Sequence, residues 1–209
     1  MKKLDFAGKP TFDNLSPEKR DLILREAVRE FADHGYRQAS VNRIVERTGI
    51  AKGSLYQYFA NKEALFLYVF GRFAELIKAT VREAAGVGAG DVFTGLGQVM
   101  QAGERFVVGH PDYFRLYLKL STDDTIPHRS QLLGRLRLFP AEFFAPLLAE
   151  GQRQGTIRRD VTLASMLFLI EGAIERFLQG LAGPVQTDGA LVGELITLLR
   201  GGLAPADNN

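Results

Sequence analysis

The run SVNRIVERTGIAKGSLYQYFANKEAL, residues 40–65, decides how this chain folds. Apolar residues recur at helical spacing from residue 41 to residue 48, and Gly49 ends that segment after about two turns. A second short helix is predicted at residues 52–59, separated from the glycine by only two residues. Two short helices joined by a tight glycine-containing turn form a helix-turn-helix, whose second helix enters the major groove of DNA. The run therefore predicts a DNA-binding motif.

Longer amphipathic helices are predicted on both sides of this motif. Upstream, Ser16 is a favourable N-cap, Pro17 suits the first helical position, and Gly35 ends the helix. Downstream, Asn61 caps a helix whose apolar side begins at Leu65. Residues 16–62 are therefore predicted to form a three-helix domain. Residues 1–15 show no periodicity and are predicted to be a flexible arm.

The remaining residues, 63–209, are predicted to form a second helical domain. Helical periodicity recurs near residues 91–108, 112–121, 129–153, 162–181 and 189–201, and no strand-like alternation of useful length appears. Pro140 and Pro146 should kink or split the third of these helices. The glycine-rich stretch 86–97 lacks the Gly-Lys-Ser/Thr ending of a phosphate loop and is interpreted as a linker. The predicted fold class is all-α.

Composition excludes several classes of function. The 209 residues contain no cysteine, which excludes disulfides, thiolate nucleophiles and sulfur-ligated zinc. The three histidines are scattered, so we expect no metal site, no cofactor and no catalytic residues, and hence no enzyme. No apolar run reaches the roughly 20 residues of a membrane span, and no signal peptide is evident. We therefore expect a cytoplasmic protein without membrane contact.

Charge distribution points to the N-terminal domain as the nucleic-acid surface. Residues 1–62 contain 12 Lys and Arg against 8 Asp and Glu, whereas residues 63–209 contain 14 against 16. A helix that reads the major groove must present hydrogen-bond donors and small groups rather than bulky apolar surface. In the second short helix these are Lys52, Gly53, Ser54, Gln57 and Tyr58. The alternative for Tyr58 is an ordinary core aromatic residue.

The quoted run, with Gly35-Tyr36 before it, resembles the signature of the tetracycline-repressor (TetR) family. The resemblance is strong over about residues 16–70, although Val45 and Ala51 depart from the family pattern. It implies that Ser40 and Asn42 contact phosphate or a base edge at the start of the first short helix. It also implies that Tyr56 contacts phosphate, that Gln57 reads adenine and that Lys62 binds backbone phosphate. A solvated surface lysine is the alternative for Lys62.

The resemblance also implies a homodimer on a palindromic operator, with the dimer interface on the last two helices. Those helices carry more apolar residues than one buried face needs, among them Leu163, Met166, Leu167, Ile170, Ile174, Phe177, Leu191, Leu195 and Leu198. The alternative is that these residues form the core of a monomer.

By the same resemblance, the helices of the second domain would enclose a small apolar or amphipathic effector that releases a repressor from DNA. Aromatic residues that could line such a cavity are Phe93, Phe106, Tyr113, Phe114, Tyr117, Phe139 and Phe143. The expected function is a ligand-responsive transcriptional repressor. The alternative is a helical small-molecule or lipid-binding protein that binds no operator.

Overall fold

The computed structural model describes residues 4–86, 90–182 and 189–203. Within these ranges all regular secondary structure is helical, which confirms the predicted all-α class. The helices described there are α1 (Pro10–Asp13), α2 (Pro17–Gln38), α3 (Val41–Thr48), α4 (Lys52–Tyr58), α5 (Lys62–Gly86), α6 (Val92–Gly109), α7 (Pro111–Thr122), α8 (Arg129–Gln154), α9 (Leu163–Gly180) and α10 (Gly189–Leu203).

The chain divides into two compact units. The first runs to Leu76 and includes His110–Gly134, and the second contains Ile77–Gly109 and the residues from Arg135 onward. The division differs from the boundary at residues 62/63 that the sequence suggests. α5 is one continuous helix that contributes to both units, and α7 packs against α2 inside the first unit. Periodicity locates helices, but it does not indicate which helices pack together.

Helix α2 is the central element of the first unit. Its Ser16 hydroxyl accepts a hydrogen bond from the Lys19 N–H at 3.4 Å, so the predicted N-cap is confirmed. Gly35 interrupts the helix with φ 68° and ψ 172°, a backbone conformation that only glycine adopts readily. The helix therefore kinks at Gly35, and its last helical residue is Gln38 rather than the residue before the glycine.

Residues 4–15 differ from the flexible arm that the sequence predicts. They include helix α1, and the Phe12 side chain is only 1% exposed. Its ring lies 4.8 Å from the ring of Phe59 and 5.2 Å from that of Tyr68. The Phe6 ring also lies 6.0 Å from that of Phe70. The prediction was wrong for this part of the arm because isolated apolar residues show no helical periodicity, yet their aromatic rings can still pack and hold a short segment in place.

In the second unit, α6 packs against α9 and α10. Two glycines of α6 permit the close approach. A methyl group at Gly97 would lie 2.9 Å from Ile196, and one at Gly103 would lie 2.8 Å from Leu178. Pro140 and Pro146 were predicted to kink or split helix α8, and the helix continues through both prolines without a split.

Several residues predicted for the dimer interface are instead core residues of the second unit. Met166, Ile170, Ile174 and Phe177 are all less than 9% exposed and belong to its main hydrophobic cluster. Leu163, Leu167, Leu191 and Leu195 are half-buried against the same cluster. A side chain already covered by its own chain has little apolar surface left for a partner. Of the residues predicted for the dimer interface, Leu198 is the one with a largely exposed side chain, at 72%. Phe168 on α9, which was not in that set, is 81% exposed.

The aromatic residues predicted to line one effector cavity are divided between the two units. Tyr113, Phe114 and Tyr117 lie on α7 in the first unit. The Tyr113 ring stacks on Phe73 with centroids 5.7 Å apart, and burial raises the pKa of Tyr113 to about 12. Phe93, Phe106, Phe139 and Phe143 belong to the second unit. In that unit the Phe143 ring covers Gly95, where an added methyl group would meet it at 3.2 Å.

No helix in the described ranges combines the length and the apolar character needed to cross a membrane.

Candidate DNA-binding surface

The turn between α3 and α4 has the geometry that the sequence predicts. α3 ends at Thr48, and the C-cap residue Gly49 has a φ of 66° and a ψ of 17°, which place it in the left-handed region. Ala51 occupies the N-cap position of α4, and no side chain caps this end, as expected for alanine. At the end of α3 the Thr48 hydroxyl donates to the Ile44 carbonyl at 2.9 Å, so this buried polar group is satisfied. The two short helices therefore meet in a tight, fully formed turn.

One side of α4 is exposed and carries the predicted DNA-reading residues. Lys52, Gly53, Tyr56 and Gln57 are exposed, and Tyr56 shows 41% of its surface. Their spacing of one and four residues places them on one side of the helix. Ser54 is half-buried beside them. This side offers an ammonium group, an amide, a phenol and a position without a side chain, which suits close contact with phosphates and base edges.

The opposite side of α4 is apolar and contains Tyr58. Leu55 is 2% exposed and Tyr58 is 8% exposed. The Tyr58 ring lies 5.7 Å from the ring of Phe12. The core alternative for Tyr58 therefore holds, and its prediction as a DNA-contacting residue was wrong. Tyr56 and Tyr58 are two residues apart, so a two-turn helix places them on opposite sides.

Glu30 is a buried carboxylate that sequence analysis did not select. Its side chain is 0% exposed and lies at the junction of α2 and α3. One oxygen, Oε1, accepts hydrogen bonds from the Ser40 N–H at 2.8 Å and from Arg43 Nε at 2.9 Å. The other, Oε2, lies 3.3 Å from Arg47 Nη1. This carboxylate therefore fixes the start of α3 on α2. The sequence feature that could have identified it is an acidic residue on the side of a helix that is buried.

The protonation of Glu30 follows from these contacts. Burial acts to raise the pKa of its carboxyl group. Hydrogen bonds from Arg43 and from the Ser40 N–H, together with the charges of Arg43 and His34, outweigh burial, so the pKa lies below its usual range. Glu30 is therefore ionised at neutral pH and neutralises part of the positive charge that α3 would otherwise present.

Ser40 and Asn42 lie at the start of α3, where the resemblance places them. Asn42 is exposed and Ser40 is half-buried. Ser40 occupies the N-cap position, but its hydroxyl forms no capping hydrogen bond, and its backbone N–H is the group that donates to Glu30. The hydroxyl is therefore not used as a cap.

Lys62 has partners within the protein. Its Nζ donates to the carbonyl oxygens of Arg37 and Ala39, both at 3.2 Å, and lies 4.9 Å from the centre of the Tyr36 ring. A cation at the carbonyl end of a helix is favourable because the helix dipole is negative there. The residue before it, Asn61, caps α5 by accepting from the Ala64 N–H at 2.8 Å. Lys62 thus joins the start of α5 to the end of α2.

The N-terminal part of the chain matches a family model described as bacterial regulatory proteins, tetR family, over residues 23–69. The transcriptional repressor AcnR of Corynebacterium efficiens is 30% identical over 179 residues, which cover 81% of this chain and 85% of that protein. AcnR of Corynebacterium glutamicum is 28% identical, with 90% and 94% of the two chains covered. The similarity to these repressors therefore extends well beyond the helix-turn-helix.

Solved structures agree with this similarity. A TetR family regulator from Chloroflexus aurantiacus superposes with a TM-score of 0.76 at 26% identity, covering 95% of this chain and 99% of that one. FadR from Bacillus subtilis, solved in complex with stearoyl-CoA, superposes with a TM-score of 0.73 at 23% identity, covering 87% of this chain and 98% of that one. At this identity the similarity supports the fold alone. The similarity to AcnR covers most of this chain and most of that repressor, and α4 presents an exposed polar side. This protein therefore belongs to the TetR family of DNA-binding transcriptional regulators.

Proposed function

We propose that the protein is a ligand-responsive repressor that binds a palindromic operator as a homodimer. The observation that carries the proposal is the exposed side of α4, formed by Lys52, Gly53, Tyr56 and Gln57 on a helix whose other side is buried. As a regulator of a bacterial chromosome it would act in the cytoplasm.

In this proposal each exposed group has a separate task at the duplex. The Gln57 amide reads an adenine, because its donor and acceptor match N7 and N6 of that base. Lys52 and Tyr56 contact phosphates, and Gly53 and Ser54 allow the backbone to approach the duplex closely. Asn42 and Ser40 contact the phosphates or a base edge from the start of α3. Tyr58 is excluded because it is buried, and Lys62 is assigned to positioning because its ammonium group already binds two carbonyl oxygens.

These tasks predict different effects on binding. A duplex is first selected by the wild-type protein from a random pool, and its affinity is compared with that of a scrambled duplex over a range of salt concentrations. Lys52→Met should weaken both affinities alike and lower the slope of log affinity against log salt by about 1. Gln57→Ala should lower the preference for the selected duplex by about 1–3 kcal/mol and relax the base choice at one position of each half-site.

Lys119→Met is the matched control for Lys52→Met, because Lys119 is an exposed lysine on α7. It should leave the affinity and the salt slope unchanged. If the wild-type protein enriches no sequence, the operator-binding proposal is wrong, and a helical ligand-binding protein without an operator becomes the better explanation.

A second copy of the chain is the proposed partner of the exposed apolar residues on α9 and α10. Phe168, Leu169 and Leu198 are 81%, 46% and 72% exposed, and covering such apolar side chains with a partner is favourable. Two recognition helices must reach successive major grooves about 34–36 Å apart, and a dimer supplies them. Sedimentation equilibrium of the full chain tests this proposal, and a monomer at micromolar concentration would contradict it.

The proposed effector is an apolar or amphipathic molecule. FadR, which shares this fold, has been solved with stearoyl-CoA, so an acyl-CoA is the first probe to test. Stearoyl-CoA at micromolar concentration should raise the melting temperature and release the selected duplex, whereas coenzyme A without the acyl chain should do neither. Stearoyl-CoA without effect on either measurement would contradict the acyl-CoA assignment.

A further inference from the structure

The last turn of α4 is bound by the segment that precedes α2. Thr11 Oγ1 donates to the Gln57 carbonyl at 2.7 Å. Lys9 donates twice, from Nζ to the Tyr56 carbonyl at 2.9 Å and from its backbone N–H to the Tyr58 carbonyl at 3.0 Å. Three successive carbonyl groups of the recognition helix therefore have partners in residues 9–11.

These carbonyl groups need partners from outside the helix. The last four carbonyls of an α-helix have no intrahelical donor. In α4 the Leu55 carbonyl accepts from the Phe59 N–H at 2.9 Å, and residues 9–11 supply donors for the next three. A helix of two turns is not stable in isolation, so contacts of this kind decide whether its final turn keeps its shape. The Lys9 ammonium is also favourable at the negative end of the helix dipole.

A buried aromatic ring anchors the same segment. Phe12 is 1% exposed, and its ring lies 5.7 Å from Tyr58, 4.8 Å from Phe59 and 5.2 Å from Tyr68 on α5. The Phe12 ring thus holds residues 9–12 against both α4 and α5. Tyr56 and Gln57, which belong to the exposed side of α4, are the residues whose carbonyl groups Lys9 and Thr11 bind.

We propose that residues 9–12, which precede the family-matched segment, are a positioning segment that fixes the last turn of the recognition helix and thereby sets its sequence preference. The proposal rests on the proposed function, in which Tyr56 and Gln57 face the duplex. The segment acts through α4 and contacts no base. Loss of one of its hydrogen bonds allows the Gln57 side chain to sample more orientations, so the preferred duplex loses affinity while other duplexes do not.

Thr11→Val tests the proposal with the smallest change, because valine keeps the shape of threonine and removes the hydroxyl donor. We expect the preference for the selected duplex over the scrambled one to fall about fivefold, the effect of one hydrogen bond of about 1 kcal/mol. The salt slope should stay at its wild-type value. Amide hydrogen exchange in the free protein should become faster at Leu55, Tyr58 and Phe59, and stay unchanged in α3.

Thr122→Val is the matched control, since the Thr122 hydroxyl also donates to a backbone carbonyl, that of Leu118 at 2.9 Å, on another helix. This variant should change neither the preference nor the exchange rates in α4. Lys9→Met separates positioning from direct contact. A positioning role lowers the preference and leaves the salt slope unchanged, whereas a fall of about 1 in the slope would mean that Lys9 binds phosphate.

The outcomes distinguish this inference from the proposed function. If Gln57→Ala relaxes the base choice but Thr11→Val has wild-type preference and wild-type exchange in α4, the positioning segment is refuted and the DNA-reading role of α4 stands. If the wild-type protein selects no duplex, both proposals fail. Faster exchange in α4 without a change in preference would also overturn the inference, because the segment would then be only structural.

Discussion

Glu30→Gln removes a negative charge from the interior of the first unit and keeps the size of the side chain. In the wild-type protein the carboxylate accepts hydrogen bonds from the Ser40 N–H and from Arg43, and pairs with Arg47. Glutamine retains one acceptor oxygen, which can still serve Ser40. The two arginines lose their counter-charge, and one of them faces an amide N–H₂ donor instead of an acceptor.

The magnitude follows from the exposure of the partners. Removing one member of a fully buried ion pair costs about 3–5 kcal/mol. Here Glu30 is 0% exposed, but the Arg43 and Arg47 side chains are 40% and 35% exposed, so water can solvate them once the carboxylate is gone. We therefore expect a smaller loss, about 2 kcal/mol in the free energy of unfolding at pH 7. For a chain of this size that is a fall in melting temperature of about 4–8 °C.

The pH dependence gives a second, independent check. The folded-state pKa of Glu30 lies below its unfolded value of about 4.3, so its stabilising contribution is fully present above that pH. It is lost as the pH falls towards the lower folded-state pKa. Urea denaturation of the wild-type and Glu30→Gln proteins should therefore show a difference in unfolding free energy that is largest near pH 7 and shrinks towards pH 3.

Glu26→Gln is the matched control on the same helix. The Glu26 side chain is 13% exposed, and its buried Oε2 has no hydrogen-bond partner in the part of the chain that the structure describes. Glutamine at this position gives up no such hydrogen bond, so we expect little or no loss of stability. Equal stabilities of the two variants at pH 7, or a Glu30→Gln difference that persists unchanged to pH 3, would refute the reasoning.

Further predictions concern the backbone, the dimer and a surface ion pair. Gly35→Ala should lower the free energy of unfolding by about 1–3 kcal/mol in urea denaturation, because a φ of 68° with a ψ of 172° is strained for a residue that has a side chain. Wild-type stability would contradict this. Phe168→Ser should convert the proposed dimer to a monomer in sedimentation equilibrium while the circular dichroism stays unchanged, since this ring is 81% exposed in the protomer; an intact dimer would count against the interface. Hydrogen bonding by the Arg158 guanidinium lowers the pKa of Asp160 to about 2, so Arg158→Gln should raise that pKa towards its usual range in a carboxyl NMR titration. An unmoved pKa would show that the ion pair is not the cause.

The sequence by itself determined most of the longer helices, several of the helix ends and the helix-turn-helix. The Ser16 cap, the left-handed Gly49 and the Asn61 cap all occur where the pattern predicts them. These features are local, because a cap or a helical period involves residues within about four positions of each other. Most of the residues predicted for the reading side of α4 could be found in the same way, since the apolar residues identify the opposite side.

Only the tertiary structure decided which of those residues are buried and what holds them in place. It placed Tyr58 in the core and gave Lys62 two carbonyl partners. It left Leu198 on α10 exposed, whereas four of the predicted interface residues on α9 belong to the core. It also brought Lys9 to Tyr56, 47 positions further along the chain. Contacts between residues so far apart in the sequence depend on how whole helices pack. The helical periodicity of a sequence indicates that one face of a helix is apolar, but it does not indicate what covers that face.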